Sequence, residues 1–339
     1  MSRPSRKSDI AVTVLGGYLG AGKTTLVNHI LRSADERIVV LVNDFGSVSI
    51  DEDLIVAKEN DRITLANGCI CCSLVDGLAS ALEQVRELDP APTRLVIEAS
   101  GVADPASIAA YAHGRGIELD GVITVADAET IRARTKDVYV GDTVLRQIAS
   151  ADLLVINKVD LVDPDTLTAL RSWLSTLTGG RPMIDAVQGK VPLDVLLGIE
   201  AEPHRDDTRL NVDTAFVASD HHTANEVFVP WHMTTDEAFD REALLSLLGS
   251  WPSDVVRVKG IVRTSGSRGE PDIRMVVHRV GLRVTTQDDG PWRSGPSQLA
   301  VIGLRGPSDP SSWEAQVRAT IVNRPVSRPG FRSPTEPTL

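Results

Sequence analysis

The ten residues at 16–25, GGYLGAGKTT, decide the fold that this sequence predicts. They contain the spacing G-x-x-x-x-G-K-[ST], which is typical of a phosphate-binding P-loop. The residues that fix this spacing are Gly17, Gly22, Lys23 and Thr24. An apolar run at 11–15 precedes the motif and a helical pattern at 23–33 follows it. We therefore predict a strand, a glycine-rich turn and a helix in that order.

The P-loop predicts which residues contact a nucleotide and its magnesium ion. Glycines let the backbone approach a triphosphate, and the helix after them directs the positive end of its dipole at the phosphates. Lys23 is expected to reach the β- and γ-phosphates, and the Thr24 hydroxyl to bind Mg²⁺. The predicted nucleotide contacts in this segment are Gly17, Gly20, Ala21, Gly22, Lys23, Thr24 and Thr25. The alternative is a glycine-rich turn that binds no ligand.

A second nucleotide element follows the apolar run at 94–97, where the sequence continues Glu98-Ala-Ser-Gly101. We expect the Glu98 carboxylate to hold Mg²⁺ through water and the Gly101 N–H to meet the γ-phosphate. The predicted catalytic set is therefore Lys23, Thr24 and Glu98. Most small GTPases have Asp at the first position of this element, and the longer reach of Glu98 could accommodate the difference. The alternative is a carboxylate that only pairs with Lys23.

Guanine recognition is predicted by N-K-x-D, formed by Asn157, Lys158 and Asp160 after the apolar run LLVI. An Asp carboxylate can accept both the N1–H and the N2 amino hydrogens of guanine, a pair that adenine lacks. Asn can contact the ring edge, and the Lys stem can cover the base plane. The tetrapeptide alone is weak and also fits an ordinary polar turn, but its place after a late strand of a P-loop protein favours guanine.

The first half of the chain alternates apolar runs with helical patterns, which predicts an α/β fold with a doubly wound, mostly parallel sheet. The predicted strands are 11–15, 38–42, 94–97, 121–125 and 153–156, and the predicted helices are 23–33, 78–88, 106–112 and 165–177. Six further β-rich runs and a helical pattern at 236–248 indicate a second, smaller α+β domain. We predict an N-terminal extension at 1–9, a P-loop GTPase domain at 10–190, a linker at 191–210, the α+β domain at 211–322 and a disordered tail at 323–339.

All three cysteines of the 339-residue chain lie within four positions, at Cys69, Cys71 and Cys72. They cannot form a disulfide framework between distant segments, and thiolates suit zinc, cobalt(II) or iron(II). Three sulfurs leave a tetrahedral ion one ligand short, and Asp44, just past the second strand, is the predicted fourth. The alternative is a cluster of buried or redox-active cysteines with Asp44 in a turn. A His pair, His221 and His222, could add a second site, although such pairs are more often solvated.

Composition excludes other classes of function. The net charge of −11 argues against a nucleic-acid binder, because such affinity comes from Lys and Arg. No apolar stretch approaches the roughly 20 residues that span a bilayer, so we expect no membrane segment. Residues 1–9 (MSRPSRKSD) carry no apolar signal region, and we expect a cytoplasmic protein.

The sequence resembles the CobW-type GTPase metallochaperones, relatives of the nickel-insertion GTPases for hydrogenase and urease. The segments GGYLGAGKTTL, NDFGSVSID, NGCICCSL, IEASGVADP, VITVADA and NKVD carry the resemblance in this order. It implies a GTPase that binds a transition metal, usually zinc or cobalt, and delivers it to a client protein, with a homodimer on loading left open. By position, Cys69, Cys71, Cys72 and Asp44 correspond to the family's metal site. The family usually has Glu where this chain has Asp44, and many members carry a longer histidine-rich stretch.

Two other functions remain open at this stage. One is a regulatory GTPase whose cysteines sense oxidation instead of carrying metal. The other is a P-loop kinase for a small molecule, against which N-K-x-D speaks. No Gln or Arg stands in a position that identifies it as the group that orients the attacking water.

Overall fold

The structure of the protein is a computed structural model. The structure describes residues 10–34, 37–42, 62–64, 73–90, 92–112, 116–198, 227–266, 271–306 and 309–322.

A seven-stranded sheet forms the centre of the first half of the chain. Its strands are β1 (Ile10–Gly16), β2 (Ile38–Val42), β3 (Arg62–Thr64), β4 (Arg94–Glu98), β5 (Ile117–Asp127), β6 (Leu153–Asn157) and β7 (Met183–Ala186). They lie in the order β3-β2-β4-β1-β5-β6-β7, and every pair of neighbours is parallel. The chain moves to opposite sides of β1, which makes its carboxyl end the switch point where α/β sheets bind ligands. The predicted doubly wound fold is confirmed.

Helices cover both faces of this sheet, and burial explains its sequence. They are α1 (Lys23–Ser33), α2 (Ser73–Glu87), α3 (Pro105–Tyr111), α4 (Ile131–Arg134), α5 (Gly141–Ser150), α6 (Pro164–Thr178) and α7 (Leu193–Leu197). Leu26 of α1 shares a hydrophobic cluster with Val40, whereas Val85 of α2 shares another with Leu41. Every residue of β2 and of β6 is buried, which is why both strands are apolar without alternation, apart from Asn157 at the end of β6.

A five-stranded antiparallel sheet forms the second half. Its strands are β8 (Phe228–Thr235), β9 (Val255–Thr264), β10 (Ile273–Val280), β11 (Arg283–Pro291) and β12 (Ser297–Leu304), in the order β11-β10-β9-β12-β8. Helices α8 (Arg241–Ser250) and α9 (Pro310–Arg318) contribute to its core with Leu244, Leu248 and Trp313. This is the smaller α+β unit that the sequence predicts.

The two sheets share a hydrophobic junction through α7. Val195 and Leu197 of α7 belong to one cluster with Phe228, Val256 and Ile302 of the second sheet. Helix α7 lies inside the segment 191–210, which the loose sequence predicts to be a linker. That segment therefore begins with a buried helix, because its leucines fill the space between the two sheets. Residues 199–226 lie outside the described residues.

Buried charges occupy the same junction. Asp120 of β5 and Arg257 of β9 form an ion pair, and both side chains are 4% exposed. Arg257 also donates to the Leu196 carbonyl at 3.0 Å, and Arg94 of β4 donates to the Gly198 carbonyl at 3.1 Å. Burial by itself would raise the pKa of Asp120, but the positive charges of Arg257 and Arg94 outweigh it and hold the pKa below its usual value. Asp120 and Arg94 lie near the amino ends of their strands, so this contact is at the end of the sheet opposite the P-loop.

Several helices differ from the prediction for local reasons. Helix α8 begins at Arg241 instead of 236, because Asp240 caps it by accepting from the Ala243 N–H and Phe239 forms bridges to neighbouring chain segments. Helix α2 begins at Ser73 instead of 78, and α3 and α6 agree with the prediction to within one residue.

The elements that the sequence analysis missed are β3, β7, α4, α5, α7 and α9. The predicted strand at 215–219, the extension at 1–9 and the tail at 323–339 lie outside the described residues. No helix in the described ranges has the length and apolar character needed to cross a bilayer.

Candidate nucleotide-binding site

The P-loop lies between β1 and α1, and its glycines adopt conformations that other residues avoid. Backbone φ is 133° at Gly17, 78° at Gly20 and 103° at Gly22. A side chain added at Gly17 would overlap the Val125 carbonyl oxygen, and one at Gly22 would overlap the Asn157 amide. Both φ and the close approach therefore require glycine at these two positions. The result is an open turn whose backbone N–H groups and helix dipole suit an anion.

Lys23 is the first residue of α1 and its side chain turns back over the loop. Its ammonium group donates to the Gly17 carbonyl at 2.9 Å and to the Tyr18 carbonyl at 3.4 Å. The residue is only 8% exposed, which keeps the charge inside the turn. The arrangement adds a positive charge to an already electropositive helix N-terminus, as binding of a triphosphate requires.

Thr24, the second residue of α1, meets Glu98, the last residue of β4, although 74 positions separate them in the sequence. The Thr24 hydroxyl donates to Glu98 Oε1 at 3.0 Å. A Thr24 hydroxyl that donates to a carboxylate keeps its lone pairs for Mg²⁺, so Thr24 can bind the ion while Glu98 holds it through water, as the sequence predicts. Glu98 reaches Thr24 although small GTPases carry Asp at this position.

Gly101 lies against the P-loop. A side chain at this position would come within 2.5 Å of Leu19 Cδ2 and 2.8 Å of its backbone nitrogen. The segment after β4 therefore packs on the loop that carries the predicted phosphate contacts, which is where a γ-phosphate contact from Gly101 requires it.

The N-K-x-D residues follow β6, and each has a different environment. Asn157 is buried and joins two loops, since its amide nitrogen donates to the Ala21 carbonyl at 2.9 Å and its oxygen accepts from the Gly189 N–H at 3.0 Å. Lys158 has a positive φ of 62°, and its ammonium pairs with Asp127 at 2.7 Å. Asp160 is exposed in a short 3₁₀ turn, where its carboxylate is accessible to a base.

Sequence reasoning missed three contributors to this site, namely Asp127, Gly189 and Gln147. Asp127 ends β5 and holds the Lys158 ammonium. Gly189, with φ of 65°, sits where a side chain would come within 2.9 Å of the Leu26 backbone nitrogen in α1. Gln147 of α5 bonds the segment that contains Gly101. The dipeptide Gln188-Gly189 after β7 is a turn signal that the sequence offers, and Asp127 lies in VITVADA, one of the segments that carry the family resemblance, whereas nothing local marks Gln147.

The predicted metal ligands Asp44, Cys69, Cys71 and Cys72 lie outside the described residues, as do His221 and His222. Within the described ranges, no group of three or more His, Cys, Asp or Glu side chains could hold a metal ion. The structure does describe β2, which precedes Asp44, and β3, which precedes the three cysteines. Val42, the last residue of β2, is the register partner of both Glu98 in β4 and Thr64 in β3.

Comparison with known proteins gives two family matches that together span most of the chain. Residues 11–185 match the model described as "CobW/HypB/UreG, nucleotide-binding domain". Residues 228–320 match the "Cobalamin synthesis protein cobW C-terminal domain". The first match alone covers more than half of the 339 residues.

Individual relatives align along nearly the whole length. A protein of Sinorhizobium sp named "Zinc chaperone CobW" is 31% identical, with 94% of this chain and 98% of the relative aligned. The "Zinc chaperone YjiA" of Escherichia coli is 30% identical over 88% of this chain and 96% of its own length. The crystal structure of zinc-bound YjiA GTPase from E. coli matches with a TM-score of 0.43 and 24% identity, over 93% of this chain and 99% of that one.

Proposed function

The chain belongs to the CobW/HypB/UreG family, and on that premise we propose that it is a GTPase that carries zinc to a client protein. It binds GTP with Mg²⁺ and hydrolyses it to GDP and phosphate, with water as the nucleophile. Zinc is favoured over cobalt because the relatives that align along most of the chain are named zinc chaperones. We further propose that it works in the cytoplasm and leave open a homodimer on metal loading.

The described residues have distinct roles in nucleotide binding. The P-loop N–H groups and Lys23 hold the phosphates, the Gly101 N–H meets the terminal phosphate, and Asp160 selects guanine. Thr24 and Glu98 hold Mg²⁺, which when bound neutralises charge on the phosphates. Asn157 keeps the P-loop and the loop at Gly189 in a fixed relation, and Asp127 orients Lys158 so that its stem can cover the base.

The metal part of the proposal rests on the residue types at Asp44, Cys69, Cys71 and Cys72. Three thiolates and a carboxylate complete a tetrahedral zinc site. A carboxylate shorter than the family's usual Glu changes the reach of the fourth ligand. The thiolates dominate affinity for a soft ion, so zinc remains compatible with Asp.

One observation carries the link between nucleotide and metal. Thr64, Val42 and Glu98 occupy one row across three neighbouring parallel strands, which are about 4.8 Å apart. Val42, two residues before Asp44, is the direct neighbour of Glu98, and Thr64, five residues before Cys69, lies one strand further away. We propose that a change at the γ-phosphate is felt at the ends of these two strands, which precede the metal-binding segments.

Zinc affinity in the two nucleotide states tests this function. We expect zinc to bind about tenfold tighter with Mg²⁺ and a non-hydrolysable GTP analogue than with GDP, as measured by competition with a chromophoric chelator. By linkage, zinc should tighten the GTP analogue by the same factor. Equal zinc affinity in both states would overturn the coupling.

A Cys71→Ser variant is the control that separates the rivals. It should lose zinc and keep GTP binding, because the P-loop does not involve this residue. If wild type and variant purified without affinity tags contain the same metal, the cysteines serve another purpose, such as oxidation sensing. Recovery of the γ-phosphoryl group on a small molecule instead of as inorganic phosphate would identify a kinase.

A further inference from the structure

Gln147 is a buried polar side chain that the nucleotide motifs do not contain. It lies on α5 and is 1% exposed. Its amide nitrogen donates to two carbonyls, Ala103 O at 2.8 Å and Gly101 O at 3.1 Å. Its Oε1 is buried and accepts no hydrogen bond from the part of the chain that the structure describes. The side chain therefore acts as a double donor, and both of its bonds hold one segment of backbone.

That segment is the one that follows the proposed magnesium ligand. It leaves β4 after Glu98, and Gly101 packs against Leu19 of the P-loop. Gly101 is thus fixed on one side by the P-loop and on the other by Gln147. The Gly101 carbonyl that Gln147 binds belongs to the planar peptide between Gly101 and Val102, so this bond fixes the Gly101 Cα, at which the peptide that carries the Gly101 N–H ends.

The helix that carries Gln147 is itself held firmly. Val144 and Ile148 of α5 are each 1% exposed and belong to the core between α5, α6 and β6. The Thr124 hydroxyl of β5 donates to the Gln147 backbone carbonyl at 2.9 Å. A rigid support of this kind fixes a contact more precisely than a loop can.

We infer that Gln147 is a positioning residue that holds the Gly101 segment for the terminal phosphate and thereby sets the preference for GTP over GDP. The inference rests on the proposed function. Gln147 does not touch the nucleotide. It acts by fixing the Gly101 Cα and hence the Gly101 N–H, which in the proposed function meets only the terminal phosphate of GTP, so its loss should affect GTP and leave GDP almost unchanged.

The test compares nucleotide affinities of wild type and Gln147→Met, which keeps an unbranched side chain but removes both donors. We expect affinity for a non-hydrolysable GTP analogue with Mg²⁺ to fall about tenfold, equivalent to about 1.4 kcal/mol, while GDP affinity stays within about twofold. A uniform loss for both nucleotides, or no loss for either, would overturn the inference. Calorimetric titration gives both constants on the full-length protein.

Two further variants keep the test decisive. Thr178→Val removes a buried hydroxyl that donates to the Leu174 carbonyl in α6, away from the site, and should leave the ratio of GTP to GDP affinity unchanged.

If Gln147→Met does not fold, Gln147→Asn provides the second test. It retains the amide but is one methylene shorter, and it should lower the ratio of GTP to GDP affinity by about threefold. An unchanged ratio in Gln147→Asn would contradict the inference. Absence of nucleotide binding in wild type would instead refute the proposed function.

Discussion

The two ends of the parallel sheet hold their polar residues in different ways. At the carboxyl end, Lys23 and Asn157 bond backbone atoms of loops, and the Asp160 carboxylate faces solvent. At the amino end, Asp120 and Arg257 are buried and bond each other and the chain around α7. Side chains at the carboxyl end hold the loops of the proposed nucleotide site, whereas those at the amino end bond one another.

This difference separates activity from stability within the same strands. Strand β5 has Asp120 near its start and Asp127 at its end, and β4 runs from Arg94 to Glu98. A charge change at the amino end should weaken the junction of the two sheets, because a buried charge without its partner is costly. A change at the carboxyl end should weaken nucleotide chemistry and leave folding almost unaffected.

Asp120→Ala should have the largest effect. It leaves the Arg257 guanidinium buried without its carboxylate, and we expect a loss of about 3–5 kcal/mol in the free energy of unfolding. Chemical denaturation measures the loss. As a matched control, Asp185→Ala breaks the partly exposed pair with Arg171 and should cost less than about 1 kcal/mol. If the Asp120→Ala protein were as stable as wild type but lacked GTPase activity, the assignment of stability to the amino end of the sheet would be wrong.

Lys23→Ala should lower GTPase activity and leave stability almost unchanged. Removal of the cation from the P-loop should lower GTP hydrolysis by about 100-fold to 1000-fold, because a positioned donor to the transferred phosphoryl group is lost. Phosphate release measures the rate, and the melting temperature should stay close to that of wild type. Lys136→Ala, an exposed lysine between α4 and α5, is the control with unchanged rate. Hydrolysis within about tenfold of wild type would argue against the assigned role of Lys23.

His278 should produce the smallest effect, a dependence of stability on pH at the amino end. Burial and then the charge of Lys259 lower its pKa to about 3, with smaller contributions in the same direction from Arg257 and Arg94. The charge of Asp120 acts in the opposite direction but is outweighed, and Glu118 lies 3.9 Å away. The imidazole is therefore neutral at pH 7 and its contact with Glu118 is not an ion pair. The unfolded chain binds the proton near pH 6.5, so stability should be full above that pH and fall below it.

Between pH 6.5 and 5 the expected loss is about 1–2 kcal/mol, measured by denaturation at each pH. His278→Gln removes the titrating group and should flatten the curve in this window. If the variant keeps the wild-type slope, other groups cause the dependence. GTP affinity should change little over the same range, because His278 of β10 lies next to Glu118, near the amino end of β5.

The sequence analysis predicted the helices and strands that are marked by a pattern of neighbouring residues. Five of the seven strands of the first sheet follow from apolar runs, and α1 follows from the P-loop and the helical pattern after it. The missed α9 has a local signal, an Asp309 cap with Pro at the first helical position, which the nearby polar residues obscured. The missed α7 has none, because its five residues form a helix only where both sheets cover their leucines.

The sequence by itself determined the P-loop, the guanine motif and the three-cysteine cluster, since each works through neighbouring residues whose spacing is fixed by the chain. Only the tertiary structure decided that Glu98 meets Thr24, that Asp127 holds Lys158 and that Gln147 supports Gly101. The paired residues in these contacts are 31 or more positions apart. No local pattern encodes such contacts, because they depend on which strands become neighbours when the sheet forms.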